Sequence, residues 1–289
     1  MEPHLELMRP LNSAMGAVAV FAGALVAAGQ PLLSSVPVLL PVGTAMAVAF
    51  LYTAAGNTLN DYYDRRTDRI NHRERPIPSR RIRPEAARKF SIALFAAGAS
   101  LALFIGFPRL NPGCILLVIA NLLLLAGYEM RLKSSGFPGN LAVSWLTASL
   151  FLFGGAATQG ELPPTIFPAP VLVLALLAFL ASVGREIIKG IQDVRGDRDR
   201  RTLPRVLGVR TSGYLAALWT LFAVGFSVLP VYPLGLFGPE RYMPVVLLAD
   251  GIFIYSILVL FKNPGRASRT AKLAMMVALL AFLVGALVP

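Results

Sequence analysis

Long apolar runs separated by shorter polar connections repeat along the whole chain. Each run has roughly 15 to 22 residues, and about 20 apolar residues let an α-helix cross the hydrocarbon core of a bilayer. The pattern therefore predicts an all-α, polytopic membrane protein with about nine transmembrane helices in a bundle. The predicted helices cover residues 13–28, 36–57, 90–107, 114–128, 139–157, 167–183, 214–231, 243–261 and 273–288.

The composition also favours a membrane protein over a soluble one. Of the 289 residues, 56% are hydrophobic and 15% are charged, whereas about 25% are charged in soluble domains. No polar linker interrupts the apolar pattern, so we expect one domain over residues 1–289. The net charge of +12 would suggest nucleic acid in a soluble protein. Here the basic residues lie between apolar runs, so no nucleic-acid partner is expected.

The distribution of Lys and Arg predicts the orientation in the membrane. When the connections are assigned alternately to the two sides, one side receives all but two of the 27 Lys and Arg residues. The other side receives only Arg109 and Arg241. Because cytoplasmic loops carry an excess of Lys and Arg, we expect a multi-pass protein of the cell membrane with a cytoplasmic N-terminus and an external C-terminus.

Two long connections, at 58–89 and 184–213, fall on the predicted cytoplasmic side. Long connections in compact proteins are often functional. They contain six of the seven aspartates in the chain, which are Asp61, Asp64, Asp68, Asp193, Asp197 and Asp199. The two connections are therefore the first candidates for a functional site.

The first cluster of oxygen donors consists of Asn60, Asp64 and Asp68, which are spaced by four residues. If the second helix continues past the membrane edge, these side chains share one helix face. Two carboxylates and an amide oxygen suit Mg²⁺, which also recruits phosphate oxygens of a substrate.

The second cluster repeats the spacing of the first. Lys189, Asp193 and Asp197 align with the first cluster at a constant offset, and they follow the sixth predicted helix. This repeat predicts two related halves, at about 1–135 and 136–289, with a Mg²⁺ and diphosphate site between their clusters. The alternative is that each connection is a solvated charged face held together by ion pairs.

Other polar residues allow two interpretations each. Asp250 lies within the eighth apolar run and is either functional or a hydrogen-bonded carboxyl group that fixes a helix contact. His4 and His72 are too isolated in sequence for a metal pair. Basic residues near the acids either neutralise a diphosphate or only orient the protein in the membrane. They include Arg75, Arg80, Arg131, Lys133, Lys189 and Arg201.

With these motifs identified, the sequence resembles the UbiA superfamily of intramembrane prenyltransferases over nearly its whole length. Residues 60–68 are similar to the first aspartate motif of that family, and residues 193–197 to its second. Residues 9–12 and 75–78 also resemble family motifs. The sequence departs from the pattern at Arg80 and Arg81, where a small residue such as Gly is expected.

The resemblance implies Mg²⁺-dependent transfer of a prenyl group from a prenyl diphosphate. It implies a metal site made by Asn60, Asp64, Asp68, Asp193 and Asp197. The catalytic residues that it implies are Asp64, Asp68, Asp193, Asp197 and Lys133. The substrate-binding residues that it implies are Arg9, Asn12, Arg75, Tyr128, Arg131, Lys189 and Asn140.

A finer resemblance links residues 128–133, 139–143, 151–155 and 185–204 to the branch of this family that makes archaeal ether lipids. It implies that a geranylgeranyl group passes from geranylgeranyl diphosphate to the free hydroxyl of geranylgeranylglyceryl phosphate. Asp68 and Asp197 are candidates for the base that takes the hydroxyl proton.

Two alternatives stay open from the sequence. A prenyltransferase with an aromatic or tetrapyrrole acceptor would use the same acidic residues. A transporter would also contain repeats and an intramembrane acid such as Asp250, but transporter sites lie near the middle of the membrane. The acids of this chain are instead predicted at its cytoplasmic edge. The oligomeric state is left open.

Overall fold

A computed structural model describes residues 2–29, 31–106, 112–158, 167–197 and 200–287. Nine α-helices in these residues have 18 residues or more. They are α1 (Pro10–Ala28), α2 (Val36–Tyr63), α3 (Pro84–Gly106), α4 (Pro112–Met130), α5 (Phe137–Ala157), α6 (Ala169–Asp193), α7 (Val209–Phe226), α8 (Pro239–Leu260) and α9 (Pro264–Leu287). Arg109 and Asp199, which entered the sequence-based predictions, lie outside the described residues.

The prediction of an all-helical membrane bundle is confirmed. No strand occurs in the described ranges, and each predicted apolar run coincides with one of the nine helices. Eight of these helices are long and apolar enough to cross a membrane, and the shorter α7 is outside that set. The orientation of the termini and the division into two related halves stay predictions.

Two helices are longer than the apolar pattern indicates, and this positions the acidic residues. α2 extends beyond the predicted end at 57 to Tyr63, and α6 extends beyond the predicted end at 183 to Asp193. The predicted connections at 58–89 and 184–213 are therefore partly helical. Both acidic clusters begin on rigid helix ends.

The helices pack around a central space, and small residues allow close contact between them. α1 packs against α2 and α5, while α6 packs against α5, α7 and α9. A Cβ atom on Gly23 of α1 would lie 2.1 Å from the carbonyl oxygen of Phe151, and one on Gly154 of α5 would lie 1.8 Å from that of Val20. Only glycine at both positions permits this backbone contact, as in other membrane helix pairs.

A cavity of about 640 Å³ occupies the space between the helices. Its wall includes Val48 and Asn60 of α2, which are separated by about 18 Å along the helix axis. Charged residues surround the end near the acidic clusters, while the wall deeper in the bundle is mostly apolar. The deeper apolar residues include Met15, Ala19, Leu177, Leu279 and Phe282.

Candidate active site

The end of α2 positions the first cluster. The backbone N–H of Asp64 donates to the carbonyl oxygen of Asn60 at 2.8 Å, and that of Asp68 donates to the carbonyl oxygen of Asp64 at 2.8 Å. These bonds continue the four-residue helical spacing for one turn beyond α2, although Asp68 itself begins a separate short helix, Asp68–Asn71. The three side chains therefore remain on one side of the chain.

Lys133 is the central cation of the first cluster. Its Nζ atom lies 2.6 Å from Asn60 Oδ1, 2.8 Å from Asp64 Oδ1 and 3.0 Å from Glu129 Oε2. The side chain is only 9% exposed, and the same Nζ lies 5.7 Å from the centre of the Tyr128 ring. An ammonium group has three N–H donors, so these three oxygens satisfy it completely.

Arg75 and Arg9 pair with Asp68 of the first cluster and with the adjacent Asp61. Arg75 Nη1 lies 2.8 Å from Asp68 Oδ2 and 3.3 Å from Asp61 Oδ1. Arg9 also pairs with Asp61, whose side chain is 3% exposed. Arg9 has a left-handed backbone with φ of 48°, at the junction between the short helix Pro3–Met8 and α1. Such a conformation is unfavourable for a non-glycine residue, so the contact with Asp61 helps to maintain it.

Arg200 joins the two acidic clusters. Its Nη2 lies 2.6 Å from Asp64 Oδ1, and its Nη1 lies 3.4 Å from Asp197 Oδ1. The side chain is 18% exposed. One guanidinium group therefore bridges an acid that follows α2 and an acid that follows α6, which brings the two sequence motifs into a single site.

Asp193, at the end of α6, is held differently from the other acids. Asn71 donates a hydrogen bond to its backbone carbonyl oxygen at 2.9 Å. Its Oδ1 lies 3.3 Å from His72 Nε2, yet this buried oxygen has no hydrogen bond of accepted geometry within the described chain. A Cβ atom on Gly196 would lie 2.3 Å from Asn71 Nδ2, so the two motifs pack in direct contact.

Burial and the surrounding charges shift the pKa values of the acids. Burial alone would raise the pKa of Asp64, but Lys133 and Arg200 outweigh it and lower that pKa. Burial raises the pKa of Asp68 to about 6 despite Arg75, and Asp64 and Asp61 add to the increase. Burial also raises the pKa of Asp197, with Arg200 opposing. The site therefore concentrates negative charge that requires cations nearby.

The cavity connects these residues with several other predicted site residues. Asn60 and Asp193 lie on its wall beside substrate-binding candidates, while Arg131 is exposed and Asn140 is half-buried, both away from the wall. The substrate-binding roles of Arg131 and Asn140 therefore stay predictions without a contact on this wall. The substrate-binding candidates on the wall are Arg9, Asn12, Arg75, Tyr128 and Lys189.

The backbone at Arg80, where the sequence departs from the family pattern, has an unusual conformation. Arg80 has φ of 62°, a conformation that glycine adopts without strain. The neighbouring Arg81 forms a salt bridge with Glu6, with Nη1 to Oε2 at 2.7 Å. The loop thus has the shape that a glycine would favour, although an arginine occupies the position.

Sequence reasoning missed four contributors to the site. Asp61 and Arg200 were not assigned roles, although they pair with cations and acids of the predicted site. His72 was considered too isolated, yet it lies beside Asp193. Glu129 could have been found, because it lies four residues before Lys133 on the same helical face. The other contacts depend on tertiary structure.

Asp250 lies on the cavity wall deep in the bundle, away from the acidic clusters. Ser227 donates a hydrogen bond to Asp250 Oδ2 at 2.7 Å, and the Tyr242 hydroxyl donates to the carbonyl oxygen of Ser227 at 2.7 Å. This network connects α8 with the end of α7. The interpretation of Asp250 as a hydrogen-bonded carboxyl group that fixes a helix contact agrees with these bonds.

The acids have the chemistry of a divalent-cation site, although basic side chains hold most of them. Among the described residues, no three His, Cys, Asp or Glu side chains are arranged around one point. The oxygens of Asn60, Asp64, Asp68, Asp193 and Asp197 are nevertheless the hard donors that Mg²⁺ prefers. The buried Asp193 Oδ1 without a hydrogen bond is a free donor atom for such an ion.

The helical bundle, the paired acidic motifs and the apolar cavity are together the features expected of an intramembrane prenyltransferase. The sequence profile of the UbiA prenyltransferase family matches residues 16–284, and the chain belongs to this family.

Within this family, the chain is similar over nearly its whole length to proteins that share one name. The chain is 38% identical to digeranylgeranylglyceryl phosphate synthase of Methanopyrus kandleri, with 98% of each chain covered. It is 41% identical to the protein of the same name from Methanosarcina barkeri, with 98% of this chain and 97% of the relative covered.

Solved structures show the same architecture. A structure of a digeranylgeranylglyceryl phosphate synthase is 33% identical, has a TM-score of 0.69 and covers 99% of this chain and 98% of its own. A UbiA homolog from Archaeoglobus fulgidus bound to DMAPP and Mg²⁺ is 14% identical, with a TM-score of 0.57 and coverage of 98% and 97%. The second likeness concerns the fold alone.

Proposed function

We propose that the protein transfers a geranylgeranyl group from geranylgeranyl diphosphate to the free hydroxyl of geranylgeranylglyceryl phosphate. The product would carry two geranylgeranyl ethers on glyceryl phosphate. The observation that carries this proposal is the identity of 38% and 41%, over almost the whole chain, to relatives named digeranylgeranylglyceryl phosphate synthase. The paired acidic motifs and the long apolar cavity support it.

Mg²⁺ is the proposed cofactor, held by the oxygens of the two acidic clusters. When bound, it would supply positive charge that stabilises the departing diphosphate. The residues that would hold it are Asn60, Asp64, Asp68, Asp193 and Asp197. The Mg²⁺ named with the Archaeoglobus fulgidus homolog is consistent with this proposal.

The basic side chains of the site have a proposed role in transfer. Lys133, Arg75 and Arg200 neutralise the acids in the present structure. With substrate bound, these cations would contact the diphosphate oxygens and stabilise the charge that develops as the group leaves. Their low exposure strengthens these interactions, because little water screens them.

The proposed reaction exchanges one carbon–oxygen bond for another. The bond between the first prenyl carbon and the diphosphate breaks, and the electron pair leaves with the diphosphate. An oxygen lone pair of the acceptor hydroxyl forms the ether bond to that carbon. The hydroxyl proton passes to a carboxylate, for which Asp68 and Asp197 are the candidates.

The cavity suits an isoprenoid chain. Its apolar wall extends from Asn60 to Val48 along α2, a length of about 18 Å, and continues among the side chains of α6 and α9. It would bury the donor tail and keep water from the allylic cation. We propose that the charged end faces the cytoplasm, in agreement with the distribution of Lys and Arg.

Product analysis tests this proposal. Purified protein in detergent would receive Mg²⁺, geranylgeranyl diphosphate and one acceptor from a panel: geranylgeranylglyceryl phosphate, 4-hydroxybenzoate or a naphthoate. We expect Mg²⁺-dependent ether formation with the glyceryl phosphate alone. Asp64→Ala and Asp193→Ala should abolish it, while Glu240→Ala, an exposed carboxylate at the start of α8, should not.

The alternative functions predict other results. Prenylation of an aromatic acceptor would retain the site and the donor but overturn the proposed acceptor. If the protein consumed no prenyl diphosphate under any condition, the proposed transferase activity would be wrong. A transporter would then be the favoured alternative.

A further inference from the structure

A second group of basic residues lies on the cavity wall, apart from those that hold the acidic clusters. Arg185 belongs to α6, and Lys272 and Arg269 belong to α9. α6 and α9 pack against each other, so the three residues are parts of one wall. None of them entered the site predicted from the sequence.

These cations are less neutralised than the cations of the acidic clusters. Lys133, Arg75 and Arg200 each pair with aspartate, whereas Lys272 and Arg269 have no ion pair or hydrogen bond from their side chains in the described chain. Lys272 is half-buried and interacts electrostatically with two other cations, Arg185 and Arg9. Repulsion between half-buried cations is unfavourable unless an anion joins them.

Among the described residues, Glu186 is the carboxylate that forms an ion pair with this group. Glu186 Oε1 is 2.6 Å from Arg185 Nη1, and Glu186 Oε2 is 3.9 Å from Lys189 Nζ. Arg9 contacts Asp61, but Asp61 is shared with Arg75. The wall therefore carries a surplus of positive charge beside the paired acids.

The position of this group relates it directly to the acidic site. Arg185, Lys189 and Asp193 follow at intervals of four residues on α6, and all three line the cavity. They therefore form one row on a single helix face, with about 6 Å of axial rise between neighbours. An anion at Arg185 would lie on the same cavity wall as the acidic site, with Asp193 about 12 Å further along the helix axis.

We propose that Arg185 and Lys272, with Arg269 at the rim, bind the phosphate group of the acceptor lipid. This inference rests on the proposed function. A phosphate monoester carries a charge of about −1.5 to −2 near neutral pH, so two or three cations match it. The cations of the acidic clusters would be engaged with the diphosphate, and the acceptor requires a separate set.

This site gives a physical basis for acceptor choice. A glyceryl phosphate held at Arg185 would place its glycerol along the row towards Lys189 and Asp193. An acceptor without a phosphate would leave the half-buried Lys272 without a counter-ion, while Arg185 would keep its ion pair with Glu186. The same phosphate chemistry occurs in the head groups of membrane phospholipids, so the experiment must separate the two sources.

Equilibrium binding tests the site without turnover. Purified protein in detergent, without Mg²⁺ or donor, would be titrated with geranylgeranylglyceryl phosphate and with geranylgeranylglycerol, which lacks the phosphate. Lys272→Gln and Arg185→Gln should each raise the Kd for the phosphate-bearing lipid about tenfold or more. The Kd for geranylgeranylglycerol should stay within about twofold.

Two control variants separate a specific role from a structural one. Lys262→Gln removes an exposed cation beside the end of α8 and away from the cavity, so it should change neither Kd. Lys272→Arg keeps the charge and should retain most of the binding. In turnover assays, Lys272→Gln should raise KM for the acceptor and leave KM for geranylgeranyl diphosphate unchanged.

The outcomes separate this site from the proposed function. Three results would overturn the acceptor-phosphate site. The variants could lose affinity equally for both lipids, they could change only the KM for the donor, or an anionic phospholipid could compete as strongly as the acceptor. Phosphate-dependent binding that disappears in the variants, without ether formation by the wild type, would support the site and overturn the proposed reaction. Ether formation with unchanged binding in the variants would overturn the site alone.

Discussion

The two acidic clusters share a spacing but differ in how their acids are held. In the first cluster, Asp64 contacts Lys133 and Arg200 at 2.8 and 2.6 Å, and Asp68 contacts Arg75 at 2.8 Å. In the second, Asp197 lies 3.4 Å from Arg200. Asp193 lies 3.3 Å from His72 and interacts with Arg75 only at longer range, and one of its oxygens lacks a hydrogen bond in the described chain.

This difference indicates that two motifs with the same spacing can contribute unequally to the stability of the folded protein and to cation binding. The first cluster and the adjacent Asp61 receive cations from four separate parts of the chain, through Arg9, Arg75, Lys133 and Arg200. The lowered pKa of Asp64 means that its ionised form stabilises the folded protein. The second cluster has fewer such partners, so its oxygens are more available to an incoming cation.

The largest expected effect is the loss of enzyme activity when an aspartate of either cluster is substituted. The effect on protein stability should then differ between the two clusters. Asp64→Asn and Asp193→Asn should each lower kcat/KM about 100- to 1000-fold, because each removes a carboxylate proposed to hold the Mg²⁺ that stabilises the departing diphosphate. Without Mg²⁺, Asp64→Asn should also cost about 2 kcal/mol of stability, since two buried cations lose a partner. Asp193→Asn should change stability by less than about 0.5 kcal/mol.

Initial rates and thermal unfolding in detergent measure these quantities. Glu240→Gln is the matched control and should resemble the wild type in both. Equal destabilisation by the two Asp variants would mean that the contrast between the clusters is wrong.

The next effect concerns the cation at the centre of the first cluster. Lys133→Met should lower kcat/KM about 100-fold and destabilise the protein, because Glu129 is 3% exposed and would lose its partner. Adding Glu129→Gln should restore stability but not activity. Double-mutant cycles on the free energy of unfolding and on kcat/KM measure the coupling of Lys133 with Glu129 in stability and in activity. If the second substitution restored activity as well, Lys133 would act only on the fold.

A smaller effect is expected where the first motif contacts the second. His72→Ala removes the imidazole that lies 3.3 Å from Asp193 Oδ1 and should raise the Mg²⁺ concentration for half-maximal activity about tenfold. The maximal rate at saturating Mg²⁺ should stay within about threefold of the wild type. His4→Ala is the matched control on the short helix Pro3–Met8. An unchanged Mg²⁺ requirement would show that His72 does not position Asp193.

The pH dependence of stability probes Asp68. Burial raises its pKa from 3.8 to about 6, so the neutral form fits the folded, metal-free protein better than the ionised form. This contribution to stability is complete below the unfolded pKa of about 4 and is lost as the pH rises through about 6. Asp68→Asn, which stays neutral, should therefore raise Tm near pH 8 and leave it unchanged near about pH 4.

Chelated samples are required for that comparison, because a bound cation would favour the ionised form. If Asp68→Asn had a lower Tm than the wild type at about pH 8, the ion pair with Arg75 would stabilise the ionised carboxylate by more than burial destabilises it.

The smallest effect is expected in the loop beside the site. Arg80 has φ of 62° and an exposed side chain. Arg80→Gly should stabilise the protein by up to about 1 kcal/mol, because glycine adopts this backbone without strain. Activity should not change. Arg83→Gly, just before the start of α3, is a control that should not stabilise. A loss of stability in Arg80→Gly would mean that the arginine makes a favourable contribution elsewhere.

Particular residues show how far sequence reasoning extends. The apolar runs predicted all nine long helices, because a bilayer demands continuous apolar segments with internal hydrogen bonds. The acidic spacing indicated Asn60, Asp64 and Asp193 as candidates, and the structure places Asn60 and Asp193 on the cavity wall. Arg131 was a candidate as a cation near the acids, and Asn140 came from the resemblance; neither lines that wall, and their roles stay predictions.

The partners of the acids could not be predicted in the same way. Arg200 and Asp64 are 136 residues apart, and Asn71 and Asp193 are 122 residues apart. No periodicity in the sequence records such distant contacts. They depend on how α2 and α6 are oriented, which results from packing of the whole bundle.

The sequence by itself determined the membrane bundle, the acidic motifs and the excess of cations, because hydrophobic length and residue chemistry are local properties. Tertiary structure alone decided which cation neutralises which acid, that Asp193 retains a free oxygen, and that Arg185 and Lys272 share a cavity wall. The physical reason is that electrostatic interactions depend on distance and burial, and both are set by helix packing.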